Sequence, residues 1–269
     1  MKHITLFLLL LPLGIFAQTK WQVGLFTPIE IPNKSLMPKM NTVGGFGLQF
    51  AYQPISHIPV ALEFKSNFGS YYSKTMEQTY YFDDYSSTTT DVSYTSGFNQ
   101  MKLGAKIQIG TDFNRIRGFI TPQIGTGVMR TKIRIADPLD EDDCQPLANE
   151  TQHKYRGYTY GLEVGGEIDL SLLIPKIATE NRHYVYISGS LVNGFSKFEY
   201  VNARHMQDHN HGPLPEGGAE MTTTDGEGRP ITATFINLTT NNLHDHKITE
   251  VYNTALQYWG IRIGYVIHF

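Results

Sequence analysis

The chain has 269 residues, a formal net charge of −3 and only 17% charged residues. A charged fraction below the roughly 25% that is usual for soluble domains argues against an ordinary soluble protein, and the near-neutral balance gives no support to a nucleic-acid partner. The single cysteine, Cys144, excludes an internal disulfide, and we interpret it as an incidental loop residue.

The N-terminus has the features of an export signal. Lys2 precedes a largely apolar run that ends at the small residue Ala17. Because the run is too short for a membrane helix, it predicts a secretory signal peptide over residues 1–17, cleaved from a single barrel domain over residues 18–269. The sequence after residue 17 has no apolar run long enough for a transmembrane helix. An exported chain of this kind spans a membrane only as a closed barrel, because every backbone polar group must be paired in lipid.

Alternating apolar and polar residues predict eight strands. The strands span about 20–28, 43–53, 59–72, 93–110, 117–133, 154–172, 182–200 and 249–269. Three short connections, at 53–58, 111–116 and 173–181, alternate with four long ones, at 29–42, 73–92, 134–153 and 201–248. This layout predicts an all-β fold, an eight-stranded antiparallel transmembrane barrel with short periplasmic turns, long extracellular loops and both termini in the periplasm.

The last strand alternates up to residue 269. Ile263, Tyr265, Ile267 and Phe269 share one face, and Arg262, Gly264, Val266 and His268 share the other. A half-polar strand of this kind is typical of a transmembrane barrel whose apolar face meets lipid. Arg262, Gly264, Ile267 and Phe269 also resemble the C-terminal insertion signal of outer-membrane barrels. That resemblance implies the barrel-insertion machinery as a partner during biogenesis.

The segment from Phe119 to Val128 carries a family resemblance. It reads Phe-Ile-Thr-Pro-Gln-Ile-Gly-Thr-Gly-Val and is similar to the aromatic-x-x-Pro-x-x-Gly-x-Gly strand of small OmpA/OmpX-like outer-membrane barrels. A signal peptide ending in Phe-Ala-Gln is similar to those of the Bacteroidota. The resemblance implies a bacterial outer-membrane location with lipid around the barrel, but no particular activity. Strand parity alone leaves a soluble lipocalin-like barrel, with an apolar interior, as the alternative.

The polar face of the predicted strands carries charges of both signs. The inward candidates are Glu63, Lys65, Lys102, Lys106, Glu163, Glu167 and Arg262, with Asp169 beside them. An eight-stranded barrel is only wide enough for side chains to fill, so opposite charges are expected to pair across it. This pattern predicts a plugged, rigid scaffold, and the alternative is a narrow, gated ion path.

The longest predicted loop, 201–248, is rich in histidine. Its candidate metal ligands are His205, Asp208, His209, His211, His244 and His246. Histidine and carboxylate suit zinc or a similar divalent ion, so a loop-bound metal is one interpretation and solvated side chains are the other. The tyrosines of loop 73–92 are typical of protein or sugar contacts and equally of the membrane interface. The acidic run from Asp140 to Asp143 lacks the spacing of a calcium-binding loop.

No residue pattern nominates a catalytic site. The sequence has no His-x-Ser pair of the kind found in lipid A deacylases, so we expect a protein that is not an enzyme and has no resident cofactor. The function that fits best is a structural or interaction protein, either a surface-binding protein or an accessory subunit of an envelope complex for secretion, insertion or uptake. Its partner would be bound through the extracellular loops. A porin-like channel and a lipid A-modifying enzyme are the alternatives.

Overall fold

Antiparallel strands make up nearly all of the chain that the structure describes. The structure is a computed structural model that describes residues 20–55, 58–81, 87–110, 115–135, 148–174, 183–209, 219–224, 230–237 and 246–269. Its strands are β1 (Lys20–Pro32), β2 (Val43–Gln53), β3 (Val60–Tyr81), β4 (Ser87–Ile109), β5 (Ile116–Ile135), β6 (Ala148–Asp169), β7 (His183–His209), β8 (Ala219–Thr224), β9 (Pro230–Asn237) and β10 (His246–His268). A single helical turn, α1 (Leu170–Leu173), follows β6, and the Asp169 carboxylate caps it by accepting from the Ser171 amide at 2.7 Å.

Eight of these strands close into a barrel. β1 to β7 pair in sequence order, β7 pairs with β10, and β10 pairs back with β1. The closing pair aligns Gln22 with His268 at one end and Pro32 with Tyr258 at the other. Closure leaves no free edge within the barrel wall, which is the condition for a sheet to lie in lipid. The predicted eight-stranded antiparallel barrel is therefore confirmed.

The two faces of the barrel wall have opposite chemistry. Exposed apolar side chains come from every barrel strand: Leu25, Leu48, Leu62, Leu103, Ile124, Leu162, Ile187 and Ile263. Buried polar side chains also come from every barrel strand: Gln22, Gln49, Lys65, Lys102, Thr121, Glu163, Ser188 and Arg262. This distribution confirms the transmembrane alternative and excludes the lipocalin-like one, because an apolar belt on the outside is stable only in contact with lipid.

Several strands run beyond the predicted limits into segments predicted as loops. β3 and β4 stay paired to Tyr81 and Ser87, so most of the predicted loop 73–92 is a hairpin. The prediction failed here because apolar alternation ends where the strands leave the lipid. The Thr- and Tyr-rich sequence of this hairpin still has high strand propensity.

The predicted loop 201–248 is also partly a sheet. β8 and β9 form a hairpin, and β9 pairs with β10, aligning Thr234 with Val251. β1 reaches β10 only as far as Tyr258, so β9 takes the place of β1 on the far end of β10. The sheet therefore projects past the barrel at the end that carries the long connections.

Some features of the sequence lie outside this description. The predicted signal peptide, Cys144 and the acidic run from Asp140 to Asp143 are outside the described residues. Within the described part of the chain, no helix has the length and apolar character needed to span a membrane.

Candidate functional site: the barrel lumen and its mouth

Glu163 on β6 is the centre of the charge network in the middle of the lumen. Its carboxylate lies 2.8 Å from the Lys65 ammonium and 3.1 Å from the Arg262 guanidinium. The Ser188 hydroxyl donates to the same carboxylate at 2.7 Å, and Lys65 also reaches Glu63 at 3.0 Å. Strand alternation points all five side chains inward, and pairing offsets part of the high cost of burying each charge.

Glu30 on β1 is a second centre, which the sequence prediction missed. Asn67 donates to it at 3.0 Å, Gln100 donates to its other oxygen, and Arg262 and Lys102 lie 3.7 and 3.8 Å away. Glu30 lies outside the predicted first strand, 20–28. It is an even number of residues from Gln22 and therefore lies on the same, inward face of β1. The alternation alone was therefore enough to find it.

A third group fills the lumen near the short-connection end. Lys106 forms an ion pair with Glu167 and donates to Gln22 at 2.9 Å. His268 lies 3.3 Å from the other Glu167 oxygen, and Arg117 contacts the far side of the His268 ring at 3.4 Å. Each of the seven inward charges named from the sequence is at most 2% exposed in the structure.

Aromatic rings occupy the space between the charged groups. The buried cluster is Phe26, Phe119, Tyr184, Tyr186 and Val266. The ammonium groups of Lys65 and Lys106 lie 5.7 and 4.8 Å from the centre of the Phe119 ring. Cation–π attraction of this kind stabilises an ammonium group that has lost its water, so the rings fill the lumen and also support its charges.

The connection between β1 and β2 folds over the mouth of the barrel. Met37 and Met40 are 0% and 2% exposed. The turn is held by the Met37 amide donating to the Asn33 carbonyl at 2.7 Å and by the Asn33 amide donating to the Gln257 carbonyl at 2.9 Å. The methionines pack into a cluster with Val43, Tyr71, Phe98, Met129, Val192, Phe198, Tyr200, Tyr252, Leu256 and Tyr258. This connection, predicted only as a loop, is an apolar plug built from six strands of the wall and the turn itself.

The predicted metal ligands are only partly described. The backbone register places His209 of β7 directly opposite His246 of β10, and Asp208 opposite Lys247. His205 lies on the same strand, β7, whereas His211 and His244 are outside the described residues. The loop-bound metal site therefore stays a prediction. Zinc titration checks it, and we expect His209→Ala to abolish binding if the site exists and His183→Ala, at the other barrel end, to leave it intact.

The residues of the predicted insertion signal take defined places in β10. Arg262 is buried in the lumen, and Ile267 and Phe269 lie at the short-connection end, where the Phe269 amide donates to the Trp21 carbonyl at 2.8 Å. A side chain at Gly264 would collide with the Tyr186 ring and the Leu25 backbone. Gly264 is thus required by packing, and the role of the four residues in insertion stays a prediction.

The comparisons with known proteins concern the fold alone. No protein-family model matches the chain, and no curated protein matches it significantly. Among solved structures it is similar to Neisserial surface protein A, at 8% identity and a TM-score of 0.40, with 93% of this chain and 97% of the other covered. It is also similar to a major outer membrane protein from Thermus thermophilus, at 11% identity and a TM-score of 0.44, with 93% of this chain and 99% of the other covered. A third similar structure is that of Ail, the attachment invasion locus protein of Yersinia pestis, at 9% identity and a TM-score of 0.34, with 91% of this chain and 97% of the other covered. At these identities and scores, the barrel assignment depends on the closed strand pairing and on the two faces of the wall.

Proposed function

We propose that this protein is a non-catalytic outer-membrane barrel, closed to ions, that acts as a scaffold for an interaction surface at its long-connection end. The single observation that carries this proposal is the filling of the lumen by buried side chains. Three groups of paired charges lie in the lumen with aromatic rings between them, and the Met37–Met40 plug lies over the mouth. A rigid wall with a filled interior leaves the ends of the barrel as the place where partners bind.

The proposed orientation puts the short connections and both termini in the periplasm. The support is the asymmetry of the barrel, whose strands extend past the apolar belt at one end only, as in bacterial outer-membrane barrels. The predicted export signal, residues 1–17, fits the same location.

The projecting sheet supports a protein partner. In the described part of the chain, β8 is the last strand of the sheet order. An edge strand offers a row of backbone donors and acceptors that an extended segment of another protein can pair with. An accessory subunit of a secretion, insertion or uptake complex, or a surface-binding protein, would use this edge.

We expect the purified protein to show no stable conductance in planar bilayers. M37S/M40S, which removes the apolar plug, is expected to stay closed as well, because the paired charges below it still fill the lumen. Stable single-channel steps from the wild type would overturn the closed scaffold in favour of the porin-like channel. Steps from the variant alone would show that the plug is the gate.

We expect a stoichiometric partner to co-purify with the protein from its native membrane in mild detergent. An affinity tag in the connection 175–182 keeps the long-connection end unobstructed. A variant with Pro at Met221 and Thr223 of β8 is expected to lose the partner, because proline cannot donate to an added strand. The matched control places Pro at two positions in 175–182. If both the β8 variant and the 175–182 control lost the partner, or if neither did, the proposal that the partner binds the β8 edge would be wrong. A change in lipid A mass on deleting the gene would instead favour the enzyme alternative.

A further inference from the structure

The outward face of β5 and β6 turns from apolar to cationic just beyond the apolar belt. Arg130 and Lys132 on β5 and Lys154 and Arg156 on β6 are all exposed. The register aligns Arg130 with Lys154 and Val128 with Arg156. Neighbouring strands lie about 4.8 Å apart and alternate residues on one strand about 7 Å apart. These four residues, the cationic patch, therefore form one dense cluster of positive charge.

Repulsion between the four positive charges of the cationic patch destabilises this part of the wall, and a bound anion would reduce that repulsion. Like charges directly opposite each other on paired strands are destabilising, and Arg130 faces Lys154 in this way. Arg130 donates to the Thr151 hydroxyl at 2.6 Å. Among the side chains that the structure describes, no carboxylate forms an ion pair with any of the four cations. An anion bound outside the barrel would remove the repulsion.

A lipid-facing groove lies directly below the cationic patch. The groove has a volume of about 480 Å³ and is lined on β5 by Ile124, Gly125 and Thr126. Its lining on the other strands includes Phe64, Met101, Leu103, Tyr158 and Phe195. It continues into a second groove of about 430 Å³ that shares Leu103 and Ile124 and runs past Pro122. Thr126 of β5 is a short outward side chain that the strand register places between Met101 of β4 and Tyr158 of β6, so the outer wall is recessed at this position.

The lining of the groove and the cationic patch share strand β5. Thr126 and Arg130 are both on the outward face of β5, four residues or about 13 Å apart. We propose that this face binds one anionic lipid, a phosphorylated glycolipid of the outer leaflet, with its phosphates on the cationic patch and an acyl chain in the groove. This assignment depends on the membrane placement proposed above and adds a specific ligand to it.

A phosphorylated lipid fits both parts of the face. Arginine pairs with phosphate through two parallel hydrogen bonds, and lysine adds a point charge. Basic residues at the level of the lipid headgroups attract anionic lipids, and the groove lies beside these residues at the level of the hydrocarbon. A zwitterionic lipid would fill the groove but has no net negative charge to offset the repulsion between Arg130 and Lys154.

The test is lipid retention by the full chain in nanodiscs. The protein is reconstituted in phosphatidylcholine containing bisphosphorylated lipid A, and the lipid retained after transfer to mild detergent is measured by native mass spectrometry. We expect the wild type to retain one lipid A molecule in preference to phosphatidylcholine. K154Q/R156Q is expected to weaken retention by about tenfold or more. The matched control K74Q/R115Q removes one lysine and one arginine elsewhere and is expected to retain the lipid.

A second pair of variants tests the groove. Thr126→Trp fills it and is expected to weaken retention, whereas Thr27→Trp, on the exposed face of β1, is not. Equal retention of lipid A and phosphatidylcholine, or equal losses in K154Q/R156Q and K74Q/R115Q, would overturn the proposal. A partner protein or second copy on this face in place of the lipid would overturn it too. Protease protection of the barrel in the same nanodiscs reports insertion separately, so a failed lipid site is distinguishable from a failed membrane placement.

Discussion

Replacing Arg262 with methionine is expected to lower the free energy of unfolding by about 3–5 kcal/mol. The guanidinium lies between Glu163, at 3.1 Å, and Glu30, at 3.7 Å, and it also donates to the Ser190 hydroxyl at 2.9 Å. Methionine fills much of the same volume but leaves two buried carboxylates short of a cation. Urea unfolding in detergent micelles, followed by tryptophan fluorescence and by heat-modified gel migration, measures the loss.

Two further variants distinguish the loss of the buried charge network from the effect of replacing any arginine. Arg115→Met removes an exposed arginine and is expected to change the unfolding free energy by less than about 0.5 kcal/mol. Adding Glu163→Gln to Arg262→Met is expected to recover part of the loss, because it removes one of the two buried carboxylates that have lost the guanidinium. If R262M matched R115M, the buried network would contribute nothing to stability and the view of the lumen as a braced scaffold would be wrong.

Replacing Ile263 with arginine is expected to cost about 2–4 kcal/mol when the protein unfolds from lipid vesicles. Ile263 lies on the outward face of β10, midway between Trp259 and Ile267, and its side chain is exposed. A guanidinium there would lie in the hydrocarbon with no partner. Reversible urea unfolding from phosphatidylcholine vesicles gives the difference from the wild type.

The matched variant is Thr95→Arg. Thr95 is exposed on the outward face of β4, beyond the last apolar outward position of that strand, Met101, on the long-connection side. We expect it to cost less than about 1 kcal/mol, because a charge there reaches water. If Ile263→Arg and Thr95→Arg lowered the free energy of unfolding equally, both positions would lie in the same environment, which would contradict a membrane-spanning apolar belt.

Features that depend on single strands followed from the sequence. Side chains alternate between the two faces of a strand with a period of two, so the order of residues alone put Lys65, Glu163 and Arg262 on one face and Leu103 and Ile263 on the other. The same periodicity gave eight strands and an alternation of short and long connections. It stopped being informative at the long-connection end of β3, β4, β7 and β10, because apolar and polar residues no longer alternate regularly in the sequence there. The strands in these segments were therefore predicted as loops.

The tertiary structure decided which residues meet across the barrel. The contacts of Glu30 with Asn67 and Arg262 join strands far apart in the chain, and they depend on the register in which β10 closes on β1. The plug depends on the turn after β1 folding inward, so Met37 and Met40 had no periodic signal. The cationic patch and its groove likewise appear only once β5 and β6 are aligned. Periodicity is a local property that a sequence carries by itself, whereas register and closure are set by the summed pairing of the whole sheet.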